Sequence, residues 1–384
     1  MKLILTFLLI NIFLINSITA STYAIYDPTT KPNNNVGIHI LFPSELSEAA
    51  KLVNSNGGDW GYVTIPIQAS DKDLAKWQQF MDDCRTNHLI PILRLATNGD
   101  YFNKISWSKP NEGDILDFAN FLNSLNWPTK NRYVVIYNEP NRGDEWGGTP
   151  SPDEYANILS YSVDVFKERN NEFFIISAGL DNAAANVSDQ SMNEYSYMRQ
   201  MDKAVPGIFN KIDGLASHSY PNPGFSQPPS SSGYMGTASF KSEKALAENL
   251  DGKKLPIFIT ETGWTNTQVP ESVQAGYYYY TFTSIWNDKN VIAVTPFLLR
   301  AGVGPFEQFS FINDNSQKKD KYLTVITLKK VAGIPDLNNY PLTNKPEPTP
   351  KNLPFDNFTK SIQQNYTATV SKATKSFMKW LLNI

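Results

Sequence analysis

The sequence predicts an α/β protein folded as a (β/α)8, or TIM, barrel. Eight short apolar runs with strand-like composition alternate with eight stretches of helical periodicity between residues 35 and 335. Strands that alternate with helices form parallel βαβ units, and a barrel requires eight of them. The competing architecture is a doubly wound open sheet. It is disfavoured because no glycine-rich phosphate loop follows any predicted strand.

The predicted strands are rich in β-branched and aromatic residues and end at proline, glycine or polar residues. They cover residues 36–42, 62–67, 90–95, 133–137, 173–178, 212–220, 255–261 and 291–298. The stretches between and after them place apolar residues three or four positions apart. They predict helices at about residues 45–54, 71–88, 114–125, 152–168, 192–204, 239–249, 271–286 and 320–331.

Single residues set several of these boundaries. Ser44 is a candidate N-cap for the first helix, and Gly57 follows its predicted end. Pro152 suits the first turn of the fourth helix, because the N–H that proline lacks has no helical partner there. Pro140 cannot donate to a sheet ladder, so the fourth strand must stop before it.

Both ends of the sequence differ in composition from its centre. Residues 1–20 combine Lys2, an apolar run and small residues, as a secretory signal peptide does; an uncleaved membrane anchor is the alternative. Residues 336–384 read as a proline-rich linker and a short tail. We therefore expect one large domain at 35–335 in a secreted or extracytoplasmic protein, either free or attached to the cell surface.

Composition excludes several classes of function. The 384 residues carry a net charge of −3, so we expect no nucleic-acid partner. Cys84 is the only cysteine and lies on an apolar helix face, where an inert buried thiol is expected. Three scattered histidines fit no metal-binding spacing, and no Gly-x-Ser-x-Gly motif is present. We expect neither a metal nor a cofactor, and the oligomeric state is not determined.

Two glutamates end buried strands. Glu139 follows the run at 133–137, and Glu261 ends the run at 255–261. The active site of a (β/α)8 barrel lies at the carboxyl ends of its strands, so these carboxylates are expected to face one pocket. One protonated and one ionised carboxyl group can together hydrolyse a glycosidic bond. A pair of carboxylates salt-bridged at the barrel rim is the structural alternative.

The segments Tyr137-Asn138-Glu139-Pro140 and Ile259-Thr260-Glu261-Thr262-Gly263-Trp264 resemble the fourth- and seventh-strand motifs of clan A glycoside hydrolases. These are retaining enzymes on (β/α)8 barrels, and they include the cellulase-like family 5 and the xylosidase-like family 39. The resemblance covers roughly residues 35–335. It implies that Glu139 is the general acid/base, that Glu261 is the nucleophile and that Asn138 binds the sugar 2-hydroxyl.

The segment His218-Ser219-Tyr220 resembles the His-x-Tyr motif of the same clan. The resemblance implies that Tyr220 donates a hydrogen bond to Glu261 and that His218 lines the pocket. The alternatives are a tyrosine that only packs and a core histidine with satisfied hydrogen bonds. Arg94 is a charge in an apolar strand and needs a carboxylate partner, either Glu261 or a purely structural one. The clan usually carries its arginine on strand two, which has none here.

His39, at the end of the first strand, and Trp264 are further candidates, for pocket lining and for stacking on a sugar ring. Core packing is the alternative for both. Trp146, in the loop after Glu139, is the best further tryptophan for lining a cleft. Strand eight carries Phe297, whereas many clan members have a tryptophan beneath the reacting sugar.

The sequence therefore predicts a retaining hydrolase of β-linked poly- or oligosaccharides that works by double displacement. The alternative from another class is a non-catalytic glycan-binding barrel at the cell surface, and a transglycosylase is a third reading. The sugar, the linkage and the choice between endo and exo action are not determined by the sequence.

Overall fold

The structure, a computed structural model, describes residues 25–98, 106–231, 233–302 and 304–342. The expected signal peptide and most of the predicted linker and tail lie outside the described residues, so the domain limits stay predictions. Within the described part of the chain, no helix has both the length and the apolar character needed to cross a membrane.

Each of the eight apolar runs contains one strand, and every strand pair in the sheets is parallel. This confirms the predicted parallel α/β class. The strands are β1 (Gly37–His39), β2 (Gly61–Gln68), β3 (Leu89–Ala96), β4 (Arg132–Val135), β5 (Phe173–Ile176), β6 (Leu215–His218), β7 (Ile257–Glu261) and β8 (Val291–Val294).

Helices follow the strands, as the alternating pattern predicts. They are α1 (Leu46–Val53), α2 (Leu74–Thr86), α3 (Glu112–Ser124), α4 (Pro152–Arg169), α5 (Glu194–Ala204), α6 (Ile208–Lys211), α7 (Phe240–Asp251), α8 (Glu271–Tyr280) and α9 (Asp320–Thr327). The one-turn helix α6 has too few residues to show a helical period in the sequence. Short 3₁₀ turns occur at Pro28–Thr30, Pro43–Glu45 and Glu307–Phe309.

The predicted helix at 271–286 changes character before it ends. It is α-helical to Tyr280 and continues as a π-helical turn over Thr281–Ile285. The Thr281 and Thr283 hydroxyls each donate a hydrogen bond to the carbonyl four residues earlier. Such back-bonding competes with the regular helical ladder, which accounts for the irregular turn.

The strands form two sheets in which chain order equals spatial order, β1 to β5 and β6 to β8. Isolated parallel bridges join the sheets at two seams. Ile176 pairs with Gly214 and Asp181 with His218 at one seam, and Val36 pairs with Val294 at the other. A doubly wound sheet would reverse its strand order at a switch point. Neither sheet contains such a reversal, so the competing architecture is not observed.

Successive side chains along a strand point to opposite faces of the sheet, so the strands contribute to two apolar clusters. The smaller cluster consists mainly of strand residues and includes Tyr62, Ile92, Tyr133, Phe174 and Phe258. The larger cluster packs the opposite strand faces against the helices and contains the fully buried Cys84. Burial raises the pKa of the Cys84 thiol well above its usual value, in keeping with an inert thiol.

The first residues of the predicted linker pack against the body of the protein. The Lys130 amide donates to the Asp336 carbonyl at 2.8 Å, and the Asn338 side chain donates to the Thr129 carbonyl at 2.9 Å. Asp336 and Asn338, in the predicted linker, therefore contact the predicted domain.

Candidate active site

Glu261 is the last residue of β7 and is 8% exposed. Its Oε1 accepts a hydrogen bond from Arg94 Nη1 at 2.5 Å, and its Oε2 accepts one from the Tyr220 hydroxyl at 3.0 Å. His39 Nε2 lies 3.7 Å from Oε1. These partners come from β3, from the loop after β6 and from β1. The carboxylate is therefore held where four segments of the fold converge.

The surroundings of Glu261 favour its ionised form. Burial opposes ionisation, but the charges of His218 and Arg94 and the Tyr220 hydrogen bond lower the Glu261 pKa to about 2. Burial, together with Arg94, lowers the pKa of His39 to about 3, so His39 is neutral at neutral pH. Burial raises the pKa of Tyr220 well above its usual value, so its hydroxyl keeps the proton that it donates.

Asn138 contacts the same guanidinium as Glu261. Its Oδ1 accepts a hydrogen bond from Arg94 Nη1 at 2.5 Å, and the residue is half-buried. Arg94 therefore joins the motif of the fourth strand to the glutamate of the seventh.

Glu139 lies in a loop, four residues after β4 ends at Val135. The backbone here is strained, since Tyr137 and Glu139 have φ angles of +66° and +37°. The Glu139 amide donates to the Gly179 carbonyl at 3.1 Å, which ties the loop to the segment after β5. Glu139 is 8% exposed, the same fraction as Glu261.

A histidine and an arginine contact the Glu139 carboxylate. His218 Nδ1 lies 2.8 Å from Oε1, and Arg142 Nη1 lies 3.1 Å from Oε2. Arg142 also donates two hydrogen bonds to Asp144, at 3.0 and 2.6 Å, and lies 3.8 Å from Asp181. Although burial opposes it, the charges of Asp144 and Glu139 raise the pKa of Arg142, so the guanidinium is always charged.

Sequence reasoning missed Arg142, Asp144 and Asp181. All three follow strand ends, in the loops after β4 and β5, where barrel active sites are built. That position was the available signal, but loop residues carry no periodicity that would reveal which side chains turn inward. Burial and the nearby Glu139 charge raise the pKa of Asp181 to about 6.

His218 lies between the two glutamates. It is 1% exposed, and Nδ1 is 2.8 Å from Glu139 Oε1 and 4.0 Å from Glu261 Oε2. Burial opposes protonation, but Glu261 and Glu139 raise the His218 pKa above its usual value. The ring lies flat against Gly179, where an added Cβ would come within 2.1 Å of His218 Cδ2. Glycine is therefore required at position 179 for His218 to occupy this place.

The two carboxylates share one small space. A carboxylate oxygen of Glu139, one of Glu261 and a ring nitrogen of His218 all lie within 4.8 Å of one another. In the described part of the chain, this is the one cluster of three such side chains with suitable spacing for a metal ion. However, the guanidinium groups of Arg94 and Arg142 already contact the two carboxylates, so the protein itself balances their charge.

The predicted stacking role of Trp264 is wrong. The side chain is fully buried, donates its indole N–H to the Gln227 carbonyl at 2.8 Å and packs against Tyr278 and Trp286. A sugar cannot reach a ring enclosed in this way. The sequence placed Trp264 beside Glu261, but the chain turns after β7 and directs this ring into the helical layer.

The predicted cleft-lining role of Trp146 is wrong for the same reason, because Trp146 is 1% exposed and packs on Tyr155. Trp107 is half-buried, the only described tryptophan that is not buried. Its amide donates to the Asp144 carbonyl, and its carbonyl accepts from Gly147, both at 2.7 Å. The loop after β4 is therefore flanked by a tryptophan that sequence reasoning could not place.

Phe297 closes the Glu261 side of the site. It packs edge-on against His39, with ring centroids 5.1 Å apart, and belongs to an aromatic cluster with Tyr220 and Phe309. Phe297 is 8% exposed. The position after β8 thus presents a phenyl ring next to the residues that surround Glu261.

Comparisons with known proteins bear on the fold. No protein-family model matches the sequence, and no curated protein matches it. Solved structures with similar folds include a family 39 glycoside hydrolase from Bacteroides cellulosilyticus WH2, with 17% identity and a TM-score of 0.55. The match covers 79% of this chain and 66% of the chain of that hydrolase.

Two further solved structures are similar. One is an exo-β-1,4-mannosidase from Opitutaceae bacterium strain TAV5, with 14% identity, a TM-score of 0.52 and coverage of 81% of this chain and 61% of that one. The other is a glucosidase from Croceicoccus marinus, with 11% identity, a TM-score of 0.55 and coverage of 77% and 66%. This chain thus spans just under two thirds of the length of all three. The predicted resemblance to clan A glycoside hydrolases is confirmed at the level of the fold.

Proposed function

We propose that this protein is a retaining glycoside hydrolase that cleaves β-linked poly- or oligosaccharides by double displacement. The observation that carries this proposal is the closeness of the two glutamates, whose carboxylate oxygens approach within 4.8 Å. Retaining glycosidases separate their carboxyl groups by about 5–5.5 Å, whereas inverting enzymes need roughly 6.5–9.5 Å to admit a water molecule.

We further infer that the two sheets close into one (β/α)8 barrel. The parallel bridges at the two seams, β5 to β6 and β8 to β1, support this arrangement. In a closed barrel, Glu139 and Glu261 belong to strands four and seven and face each other across the carboxyl ends. The fold shared with the three glycosidases agrees with this inference.

In the first step, the ionised Glu261 attacks the anomeric carbon and the bond to the leaving oxygen breaks. Glu139 gives its proton to that oxygen, and a glycosyl ester of Glu261 forms. Arg94 and Tyr220 each donate to one oxygen of Glu261, which orients the carboxylate for attack. Asn138 accepts a hydrogen bond from the same Arg94, and in this mechanism it binds a sugar hydroxyl.

In the second step, the Glu139 carboxylate removes a proton from a water molecule, and the water oxygen attacks the anomeric carbon. The ester bond to Glu261 breaks, and the sugar leaves with its original anomeric configuration. His218 and Arg142 contact the Glu139 carboxylate and stabilise the charge that this step requires.

The test is turnover of a panel of aryl β-glycosides and β-linked polysaccharides, with the product anomer followed by proton NMR. We expect a retained anomer, and a 2-deoxy-2-fluoro glycoside should label the peptide that contains Glu261. An inverted anomer would contradict double displacement. Glycan binding without turnover would favour the non-catalytic glycan-binding barrel, for which the low exposure of both glutamates and the aromatic cluster beside Glu261 are the supporting observations.

We also propose that the protein is secreted or attached to the cell surface. The apolar run within residues 1–20 supports this location. Fractionation of cells that express the full chain, with N-terminal sequencing of the product, tests it. A protein confined to the cytoplasm with its N-terminus intact would contradict the proposal.

A further inference from the structure

A second pair of buried carboxylates lies away from the reacting glutamates. Glu194 is in the first turn of α5, and Glu243 is in the first turn of α7. The two helices pack against each other on the outside of the sheet. Glu194 is 0% exposed and Glu243 is 4% exposed. The proposed reaction uses neither of them.

Glu194 and Glu243 both line one small cavity between these helices and the strands β5 and β6. Its other polar lining residues are Tyr155 and Ser177, and its apolar lining includes Met198. Two acids, a serine and a tyrosine therefore line this one small space.

Glu194 is unusual because neither of its carboxylate oxygens has a hydrogen-bond partner among the described residues. The Tyr195 hydroxyl is near enough to lower the Glu194 pKa, but the two groups do not meet the geometry of a hydrogen bond. Glu243 Oε1 accepts a hydrogen bond from Ser217 at 3.0 Å. Within the described residues, no lysine or arginine forms an ion pair with either acid.

Buried carboxylates without a positive partner are unfavourable unless they are protonated or bind a cation. Hard cations such as Ca²⁺ and Na⁺ prefer oxygen ligands from carboxylates, hydroxyls and water. We propose that this cavity binds one small hard cation through the carboxylates of Glu194 and Glu243. Ser177 is a further candidate oxygen ligand among the residues that line the cavity.

Electrostatic effects on the pair identify protons as the competitors of a cation at this site. Burial raises the pKa of Glu243 to about 7, and burial together with Glu243 raises that of Glu194 well above its usual value. The other groups that act on the pair are Asp181, His218 and Tyr195. Since a cation competes with protons for these carboxylates, its affinity is expected to rise with pH.

The site would also link the helical layer to the proposed reaction centre. Ser217, which donates to Glu243, directly precedes His218 on β6. A cation that fixes Glu243 would thereby fix the strand that holds His218 against Glu139.

The experiment uses the full chain, stripped with EDTA and dialysed into choline chloride. Thermal unfolding and calorimetric titration are then followed with CaCl₂ in one arm and NaCl in the other. We expect one ion per chain and a Tm rise of about 5 °C when the cation exceeds its Kd roughly 100-fold. A response to Ca²⁺ alone identifies a divalent site, and a response to Na⁺ alone identifies a monovalent one.

Three variants locate the effect. Glu194→Gln should abolish the Tm rise and the binding heat, whereas Glu168→Gln, at an exposed position on α4, should keep both. Glu139→Gln should also keep both, which separates this cavity from the cluster at the proposed reaction centre. If Glu194→Gln does not fold, the titration of the unaltered chain decides alone.

Two results would overturn the proposal. The first is an unaltered chain that shows neither binding heat nor a Tm rise in either salt. The second is a Glu194→Gln variant whose Tm equals or exceeds that of the unaltered chain in every salt, because this is the behaviour of a protonated pair.

Discussion

Glu139 and Glu261 are the same residue type with the same exposure, yet the two halves of the site hold them differently. Glu261 ends a regular strand, and Glu139 lies in a strained loop. The third residue after each shows the contrast. Trp264 anchors the Glu261 half by apolar burial, and Arg142 anchors the Glu139 half by contacting three carboxylates.

This difference suits the two roles that we propose. In the proposed mechanism Glu261 stays ionised and fixed, and it lies at a strand end with donors on both oxygens. Glu139 exchanges a proton twice per proposed turnover, and its partners are a histidine and an arginine shared with other acids. The surroundings, more than the residue type, therefore favour the proposed assignment of the two carboxylates.

The largest effect is expected from Glu261→Gln, which keeps the side-chain shape and removes the nucleophile. Turnover of every substrate should fall on the order of 10⁵-fold, because no covalent ester can form. Steady-state kinetics on an aryl β-glycoside measures the loss. The matched control is Glu168→Gln, and substantial remaining turnover in Glu261→Gln would remove this residue from the role of nucleophile.

Glu139→Gln should cost less, about 10²- to 10⁴-fold with natural substrates. Its effect should also depend on the leaving group. A dinitrophenyl glycoside needs no proton in the first step, so that step should remain fast and the glycosyl-enzyme should accumulate. A burst measured by stopped flow would support the role, and an equal loss for all leaving groups would contradict it.

Arg142→Gln tests the electrostatic anchor of the Glu139 half. Without its guanidinium contact, Glu139 loses its position, and kcat should fall roughly 10- to 100-fold with a smaller change in KM. The control is Asp144→Asn, which leaves the contact between Arg142 and Glu139 in place and should have a much weaker effect. Equal losses in the two variants would show that the loop, not the guanidinium contact, matters.

Tyr220→Phe tests the hydroxyl that donates to Glu261 in the other half of the site. It should change the pH dependence of kcat/KM. The hydroxyl helps to hold the Glu261 pKa at about 2, so its removal raises that pKa. The acidic limb of kcat/KM should move to higher pH by about one unit. A pH–rate profile measures the shift, and an unchanged acidic limb would exclude Tyr220 from this role.

The same Glu261 pKa also affects stability. A carboxyl group with a lowered pKa in the folded state stabilises the protein above its unfolded pKa, about 4.3. This contribution is lost as the pH falls from there towards 2. Tyr220→Phe should reduce it, so the difference in Tm between the two proteins should shrink below pH 4.

The smallest effect on catalysis is expected from Trp264→Phe. The indole is buried and cannot stack on a sugar, so KM should stay within about twofold of the value for the unaltered chain. Loss of its packing and of the hydrogen bond to Gln227 should reduce the unfolding free energy by about 1–3 kcal/mol. Thermal unfolding measures this, and a large rise in KM with unchanged Tm would restore Trp264 as a sugar-binding residue.

The sequence was informative where a charged residue ended or interrupted an apolar, strand-like run. Glu139 and Glu261 were identified because each follows an apolar strand, and a parallel fold brings strand ends together. Arg94 was identified because a charge in an apolar strand requires a partner. All eight strands were located, although β1 and β8 were each predicted four residues too long and β6 five residues too long.

Sequence reasoning failed where the orientation of a side chain, and not its residue type, decides its role. Trp264 and Trp146 both follow strand-end glutamates, but the chain turns each ring into the packed interior. Arg142 contacts Glu139 from a loop with positive φ angles at Tyr137 and Glu139, and no local pattern in the sequence specifies that geometry. The carboxylate pair of Glu194 and Glu243 joins two helices distant in the chain, so neither residue alone could indicate it.

The two seams between the sheets have a consequence for motion. Glu139 follows a strand of the five-stranded sheet, and Glu261 ends a strand of the three-stranded one. The distance between the carboxylates is therefore set across the seams, where isolated bridges at Ile176, Asp181 and Val36 replace a full ladder. Hinge-like breathing of the two sheets would change that distance directly. The slowest-exchanging backbone amides are therefore expected inside the sheets, and the conformational fluctuations that matter for turnover are expected at their joints.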